Sequence, residues 1–171
     1  MIVVVSDTHR TERPGLDDHL AEAVSRADRV IHAGDFTTEA VLDGFHEMAH
    51  TLFAVAGNRD DTAVIDRLPE ARTLDVNGFT VAVTHTQAGG RTGLSYFGAE
   101  RDADLVISGH THRPHFVSGD GPALLNPGSH ADPRGGEPTY ATFEVQNGRI
   151  EGVIRTVSGT KEQGFRLEGR N

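Results

Sequence analysis

The chain contains no cysteine, which excludes disulfides, zinc ribbons and thiol nucleophiles and leaves His, Asp, Glu and Asn as the side chains able to hold a metal. Long apolar runs are missing too. The N-terminal "MIVVV" is too short for a signal-peptide core or a membrane span and has no basic leader, so a soluble cytoplasmic protein is expected, with no membrane partner. Lysine is almost absent: Lys161 stands alone, and Lys and Arg total 16 against 25 Asp and Glu, for a net charge of −9. Phosphate backbones are gripped by excess cationic side chains, so no general nucleic-acid surface is expected. An anionic small-molecule substrate would need a locally positive site. At 171 residues the chain fits one domain with a sizeable core. Against these absences stand ten histidines.

The opening "MIVVVSD" is a β-branched run ended by a polar turn, the pattern of a strand buried on both faces. "LDDHLAEAVSRA" places Leu16, Leu20, Ala23, Val24 and Ala27 on one helical face, and "DRVIHAGD" follows as a second buried strand. A helix near 38–50 and a strand in "TLFAVAGN" repeat the β-α-β pattern. Beyond residue 60, two-residue turns at Asn77-Gly78 and Asn147-Gly148, with Asp120-Gly121 between them, predict hairpins and a mostly antiparallel second half. The Gly-rich segment 86–102 reads as a long loop near the site, and 158–171 as a polar, disordered tail after a domain of residues 1–157.

In such sheets ligands bind beyond the carboxyl ends of the strands. Asp7 and His9 follow the first strand, Gly34-Asp35 the second and Gly57-Asn58 the third; His85 follows the hairpin, and Gly109, His110 and His112 follow "DLVIS". Each is a hard-oxygen or imidazole ligand, or a glycine that lets the chain turn beside one. Singly, each residue is also an ordinary turn former or a satisfied strand-end histidine; their recurrence after every strand is what carries weight. Two carboxylates, one amide and four imidazoles are too many donors for one tetrahedral ion but suit two ions sharing a carboxylate. Two divalent ions over two carboxylates leave a positive pit, which suits phosphate.

The order DTH, GDF, GNRD, THT, GHTH, followed by "NPGSHADPR", resembles the calcineurin-like metallophosphoesterase superfamily and its small single-domain bacterial and archaeal phosphodiesterase branch over residues 1 to about 157. The resemblance implies an α/β fold, an αββα sandwich of two mixed sheets flanked by helices. It implies that Asp7, His9 and His112 bind one divalent ion, that Asn58, His85 and His110 bind another, and that Asp35 bridges them. Mn²⁺ is the first expectation for both ions, with Ni²⁺, Co²⁺, Fe²⁺ or Zn²⁺ as alternatives, and a water held between them would attack phosphorus. Asp35, Asn58, Arg59 and His85 would carry the reaction, with Asn58 and Arg59 on the phosphate of a small ester, phosphodiester rather than monoester. A homodimer or larger assembly is a further implication. So is an alternative from another class, a non-catalytic scaffold in a protein assembly.

Two positions leave the family pattern. Arg59 stands where many members have a histidine; its guanidinium can clamp phosphate but cannot act as an acid. "THTQ" stands where T-H-G-H is common, so Thr86 and Gln87 alter the loop beside His85. Elsewhere, "HEMAH" at 46–50 fits the HExxH pattern of zinc peptidases. On a helical wheel, however, Val41, Leu42, Phe45, Met48 and Ala49 form the apolar stripe and leave His46 and His50 on the flank or in solvent, at the opposite edge of the sheet from the strand-end ligands. His19, His115 and His130 have no partner pattern and read as surface residues.

Overall fold

The computed structural model describes residues 1–169. Its elements alternate at first and then turn to strands: β1 (Ile2–Val5), α1 (Asp18–Arg26), β2 (Arg29–His32), α2 (Glu39–Met48), β3 (Leu52–Ala54), α3 (Thr62–Ile65), β4 (Ala71–Val76), β5 (Phe79–Thr84), α4 (Arg91–Ala99), β6 (Leu105–Ile107), β7 (His115–Val117), β8 (Ala123–Asn126), β9 (Thr139–Gln146), β10 (Arg149–Thr156) and β11 (Lys161–Glu168). A six-stranded sheet in the order β11-β10-β9-β1-β2-β3 faces a five-stranded sheet in the order β4-β5-β6-β8-β7.

The period-two geometry of β1 explains its unbroken apolar run. Ile2 and Val4 enter the core between the sheets with Ile31, Val81, Leu105, Leu125 and Phe143. Val3 and Val5 point the other way, against Leu20 and Val24 of α1 and Val41, Leu42 and Phe45 of α2. On the far side, Leu94 and Phe97 of α4 pack on Ala82, Val106 and Leu124 of the second sheet. The layers therefore run helix, sheet, sheet, helix, as expected.

Both sheets are mixed. In the first, β1 pairs parallel with β2 and β2 with β3, while β9 joins β1 antiparallel. In the second, β5-β6 and β6-β8 are parallel, so antiparallel pairing is confined to β4-β5 and β7-β8. Parallel neighbours need crossovers, and α4 is the crossover between β5 and β6. That corrects the expectation of a long loop over 86–102. Gly93 and Gly98 weaken the helical signal, but burying Leu94, Phe97 and Gly98 fixes the helix; of that segment only 86–90 and the turn at 100–102 lie outside it.

The expected disordered tail is also corrected. Residues 161–168 form β11, an edge strand paired antiparallel with β10 over Arg149↔Glu168 to Val153↔Gly164; residues 170 and 171 lie outside the described residues. Phe165 anchors it, stacked on Phe116 with ring centroids 4.6 Å apart. Gly152 leaves room for that ring, since a Cβ there would lie 2.2 Å from Phe165 Cζ. The domain thus extends past residue 157 to include β11. Having few apolar side chains, Phe165 and the partly buried Leu167, among charged neighbours is how an edge strand avoids further pairing, and it also hides the strand from a hydropathy reading.

Candidate metal centre

Strands β1, β2, β3, β5 and β6 end along one edge of the sandwich, and the residues after them converge there. Their loops are stitched by backbone bonds: Asp7 N donates to Gly34 O (3.0 Å), His9 N to Asp35 O (3.1 Å) and Gly109 N to His85 O (3.0 Å). Asp7, His9, Asp35, His110 and His112 all have positive φ, between 44° and 68°. Such backbone costs free energy in non-glycine residues and clusters where function over-determines geometry. The strand-end turns thus aim five of the seven proposed ligands inward through an uncommon conformation.

The polar atoms gather closely. Asp7 Oδ1 lies 3.2 Å from His112 Nε2 and 3.7 Å from His9 Nε2, and those two imidazole nitrogens are 3.2 Å apart. Asp35 Oδ2 lies 3.5 Å from His9 Nε2 and 3.3 Å from His85 Nε2. Asn58 Oδ1 sits 3.1 Å from His85 Nε2 and 2.8 Å from His110 Nδ1. Asp7, His9 and His112 form one group with metal-binding spacing, and Asp7, Asp35 and His85 another. All seven residues are therefore together. His110 joins through Asn58, and Asp7 adjoins both groups.

Hydrogen bonding fixes which atoms face inward. The Nδ1 of His85 donates to Ala33 O at 2.7 Å and that of His112 to Asp132 O at 2.5 Å, so in the neutral rings each Nε2 presents a lone pair. Those lone pairs face carboxylate and amide oxygens about as closely as a hydrogen bond would. Acceptor facing acceptor is repulsive unless a cation or proton lies between them, and backbone carbonyls orienting metal-ligating imidazoles are a recurrent device. The donor set therefore fits hard-to-borderline divalent ions.

Electrostatics agree. Burial opposes charge on His85, but its hydrogen bond to Asp35 and the charges of Asp7 and Asp35 raise its pKa above 6.5. For Asp35, burial pushes the pKa up, but the His85 contacts, the Arg59 amide and His9 outweigh it and lower it below 3.8. In the metal-free protein His85 contributes stability below pH 6.5 that is lost as pH rises through its folded pKa. Asp35 contributes above pH 3.8 and loses its part as pH falls through its lower folded value. Metal must displace the His85 proton. Calorimetric Mn²⁺ affinity is therefore expected to weaken on acidification already above pH 6.5, where an ordinary imidazole would not yet compete; an affinity flat from pH 8 to about 6 would contradict this.

The supporting shell was only partly visible in the sequence. Within "NPGS", Asn126 Nδ2 donates to Gly109 O (2.7 Å), and Ser129 Oγ donates to Asp7 O (2.7 Å), so this turn clamps the Asp7 and His110 loops. Asp60, the last residue of "GNRD", accepts from Thr37 N and Gly57 N, both at 2.7 Å; burial nonetheless raises its pKa. His130 corrects the surface reading. It is 4% exposed, its Nε2 lies 3.1 Å from Thr8 Oγ1, and burial holds its pKa at about 4. His115 is half-buried, while His19 is exposed and bonded to the Tyr140 hydroxyl at 2.9 Å. No sequence pattern pairs these histidines with their partners.

The Arg59 side chain is exposed and has no ion pair among the described residues. Its amide donates to Asp35 Oδ1 at 2.8 Å, and with His9, Thr37, Asn58 and Asp60 it lines a cavity of about 470 Å³. His46 and His50 are exposed on the outer helix layer. His50 also acts electrostatically on Asp28, which precedes β2 at the strand edge away from the cluster.

The model of the "Calcineurin-like phosphoesterase superfamily domain" matches residues 1–148. The chain belongs to that superfamily. It is 32% identical to a probable metallophosphoesterase of Methanothermobacter thermautotrophicus over 161 residues, covering 91% of this chain and 92% of the relative. A probable metallophosphoesterase of Methanocaldococcus jannaschii is 36% identical over 139 residues, 78% of this chain and 70% of the relative. Among solved structures, Vps29 of Chaetomium thermophilum superposes with a TM-score of 0.83 over 99% of this chain and 97% of that one; at 16% identity this is a likeness of fold. Among the described residues no helix is long and apolar enough to cross a membrane.

Proposed function

We propose that this chain hydrolyses small phosphate esters, phosphodiesters in preference to monoesters, using two divalent ions. Asp7, His9 and His112 would hold one ion and Asn58, His85 and His110 the other, with Asp35 between them; Mn²⁺ is the first choice. The observation that supports this best is the set of inward lone pairs on His85 and His112 facing Asp7, Asp35 and Asn58 at 3.1–3.3 Å. When bound, such ions supply Lewis-acid charge beside phosphate and a nucleophile at neutral pH.

The chain's own residues do the rest. Ala33 O and Asp132 O orient the imidazoles. Asn58, exposed between His85 and His110, reaches both the cluster and incoming phosphate. Arg59 clamps phosphate oxygens with its guanidinium, and a guanidinium cannot give up a proton as an acid, which leaves the leaving group without a side-chain acid there. Leaving groups that depart without a proton are favoured.

With Mn²⁺, bis-p-nitrophenyl phosphate is expected to be cleaved faster than alkyl phosphate monoesters; the reverse order would remove the proposed role of Arg59. Assays should span Mn²⁺, Ni²⁺, Co²⁺, Mg²⁺ and Zn²⁺. Turnover with none of them would favour the scaffold reading, which draws on the likeness of fold to Vps29.

A further inference from the structure

We propose that the cavity beside the metal centre, walled by α3 and α4, seats the organic group of the phosphoester and selects a flat, uncharged ring. This rests on the phosphoesterase reading and names the part of the substrate that reading leaves open. The cavity holds about 570 Å³ and includes Asn58 and His85 in its lining, so it opens directly onto the cluster. That volume is ordinary for a small-molecule site.

Its apolar wall is unusual for a surface. Among the described residues only Met1, Ile65, Tyr96 and Val117 are large apolar side chains left exposed, and two of them, Ile65 at 50% and Tyr96 at 69%, line this one cavity. The Tyr96 side chain has no hydrogen-bond or ring partner among the described residues. An unpartnered aromatic face next to a phosphate site is a stacking platform, and stacking accepts any ring with a π-face.

Charge narrows the choice. Glu70 and Glu100 line the cavity against a single cation, Arg101. That guanidinium is already engaged: it donates to Phe97 O at 3.0 Å, lies 3.8 Å from the Phe97 ring centroid and pairs with Glu100 at 3.7 Å. A second phosphate or a carboxylate would therefore be repelled here. A separate cavity of about 370 Å³ is lined by His110, Thr111, Arg113 and Arg134; it offers guanidinium groups and no aliphatic or tyrosine side chain.

The cavity wall is also fixed relative to the cluster. A Cβ on Gly93 of α4 would fall 1.9 Å from Ala88 O, so helix and loop are in close contact. Gln87, in the loop where the chain leaves the family pattern, is tied by its side-chain amide to Thr84 Oγ1 at 3.1 Å, one residue before His85.

The test is calorimetric binding of AMP and of ribose 5-phosphate, which differ only by the base, to the full chain in Mn²⁺. AMP is expected to bind about tenfold tighter, Tyr96→Phe to keep that ratio and Tyr96→Ala to bring it near one. Equal affinities in wild type, a ratio that survives Tyr96→Ala, or no binding of either compound would overturn the proposal. Base preference in a chain that hydrolyses no ester with any metal would keep the subsite and remove the phosphoesterase reading. Metal-dependent hydrolysis without base preference would do the opposite.

Discussion

Asp35→Asn is expected to lower Mn²⁺-dependent hydrolysis by at least about 10³-fold while the protein stays folded, since losing even an outer partner of a metal ligand typically costs ~10–100-fold. Asp35 is 1% exposed, and its Oδ2 approaches both His9 and His85. The amide keeps the shape and can still accept the Arg59 N–H now bonded to Oδ1 at 2.8 Å. Asn also tolerates the positive φ of 63° at this position better than most residues. What it loses is the negative charge, and its Nδ2 can satisfy the His85 lone pair that would otherwise seek a cation. Thermal melting separates these effects: a ligand at a hundred times its Kd adds about 2.7 kcal/mol, so Mn²⁺ should raise the wild-type Tm and leave the variant's nearly unmoved. His50→Ala is the control for the HExxH pattern, expected to match wild type in Mn²⁺ binding and turnover. Loss of activity in His50→Ala with an active Asp35→Asn would move the chemistry to the 46–50 segment at the end of α2.

The strand ends were legible in the sequence because β1, β2 and β6 carry buried β-branched or aliphatic runs, and a cluster residue follows each strand within two or three positions: Asp7, Asp35 and His110. The residues that hold the cluster were less legible. Asn126 and Ser129 lie in a stretch that also reads as an ordinary turn, and their bonds to Gly109 O and Asp7 O join segments far apart in sequence. His130 reaches Thr8 across 122 positions. Local pattern cannot express such pairings. The same holds for α4 and β11: burial of Leu94 and Phe97 on β6 and β8 overrides a glycine-rich sequence, and backbone pairing with β10 orders a strand with little apolar alternation. Propensity describes a segment alone, whereas both elements are made by the neighbours they meet.

Gly109→Ala should damage the centre strongly. A Cβ there would lie 1.9 Å from Ser6 Oγ, 2.7 Å from Asp7 Oδ2 and 3.1 Å from Ala33 O, so the β6 loop could not stay against the β1 loop. The amide of His110, which now bonds both Asp7 carboxylate oxygens at 3.0 and 3.1 Å, would move with it. Overpacking of this kind costs about 1–3 kcal/mol, and in a chain of this size each kcal/mol shifts Tm by about 2–4 °C. Metal binding should suffer more than stability, because Asp7 adjoins both ligand groups; a loss of about 100-fold or more in Mn²⁺ affinity is expected. The double variant Ser6→Ala/Gly109→Ala distinguishes the causes. Removing Ser6 Oγ relieves the 1.9 Å contact and should restore part of the Tm, but the 2.7 Å contact with the Asp7 carboxylate remains, so Mn²⁺ affinity should stay low. Wild-type Mn²⁺ affinity in Gly109→Ala would mean that the close approach of these two loops is not what sets the position of Asp7.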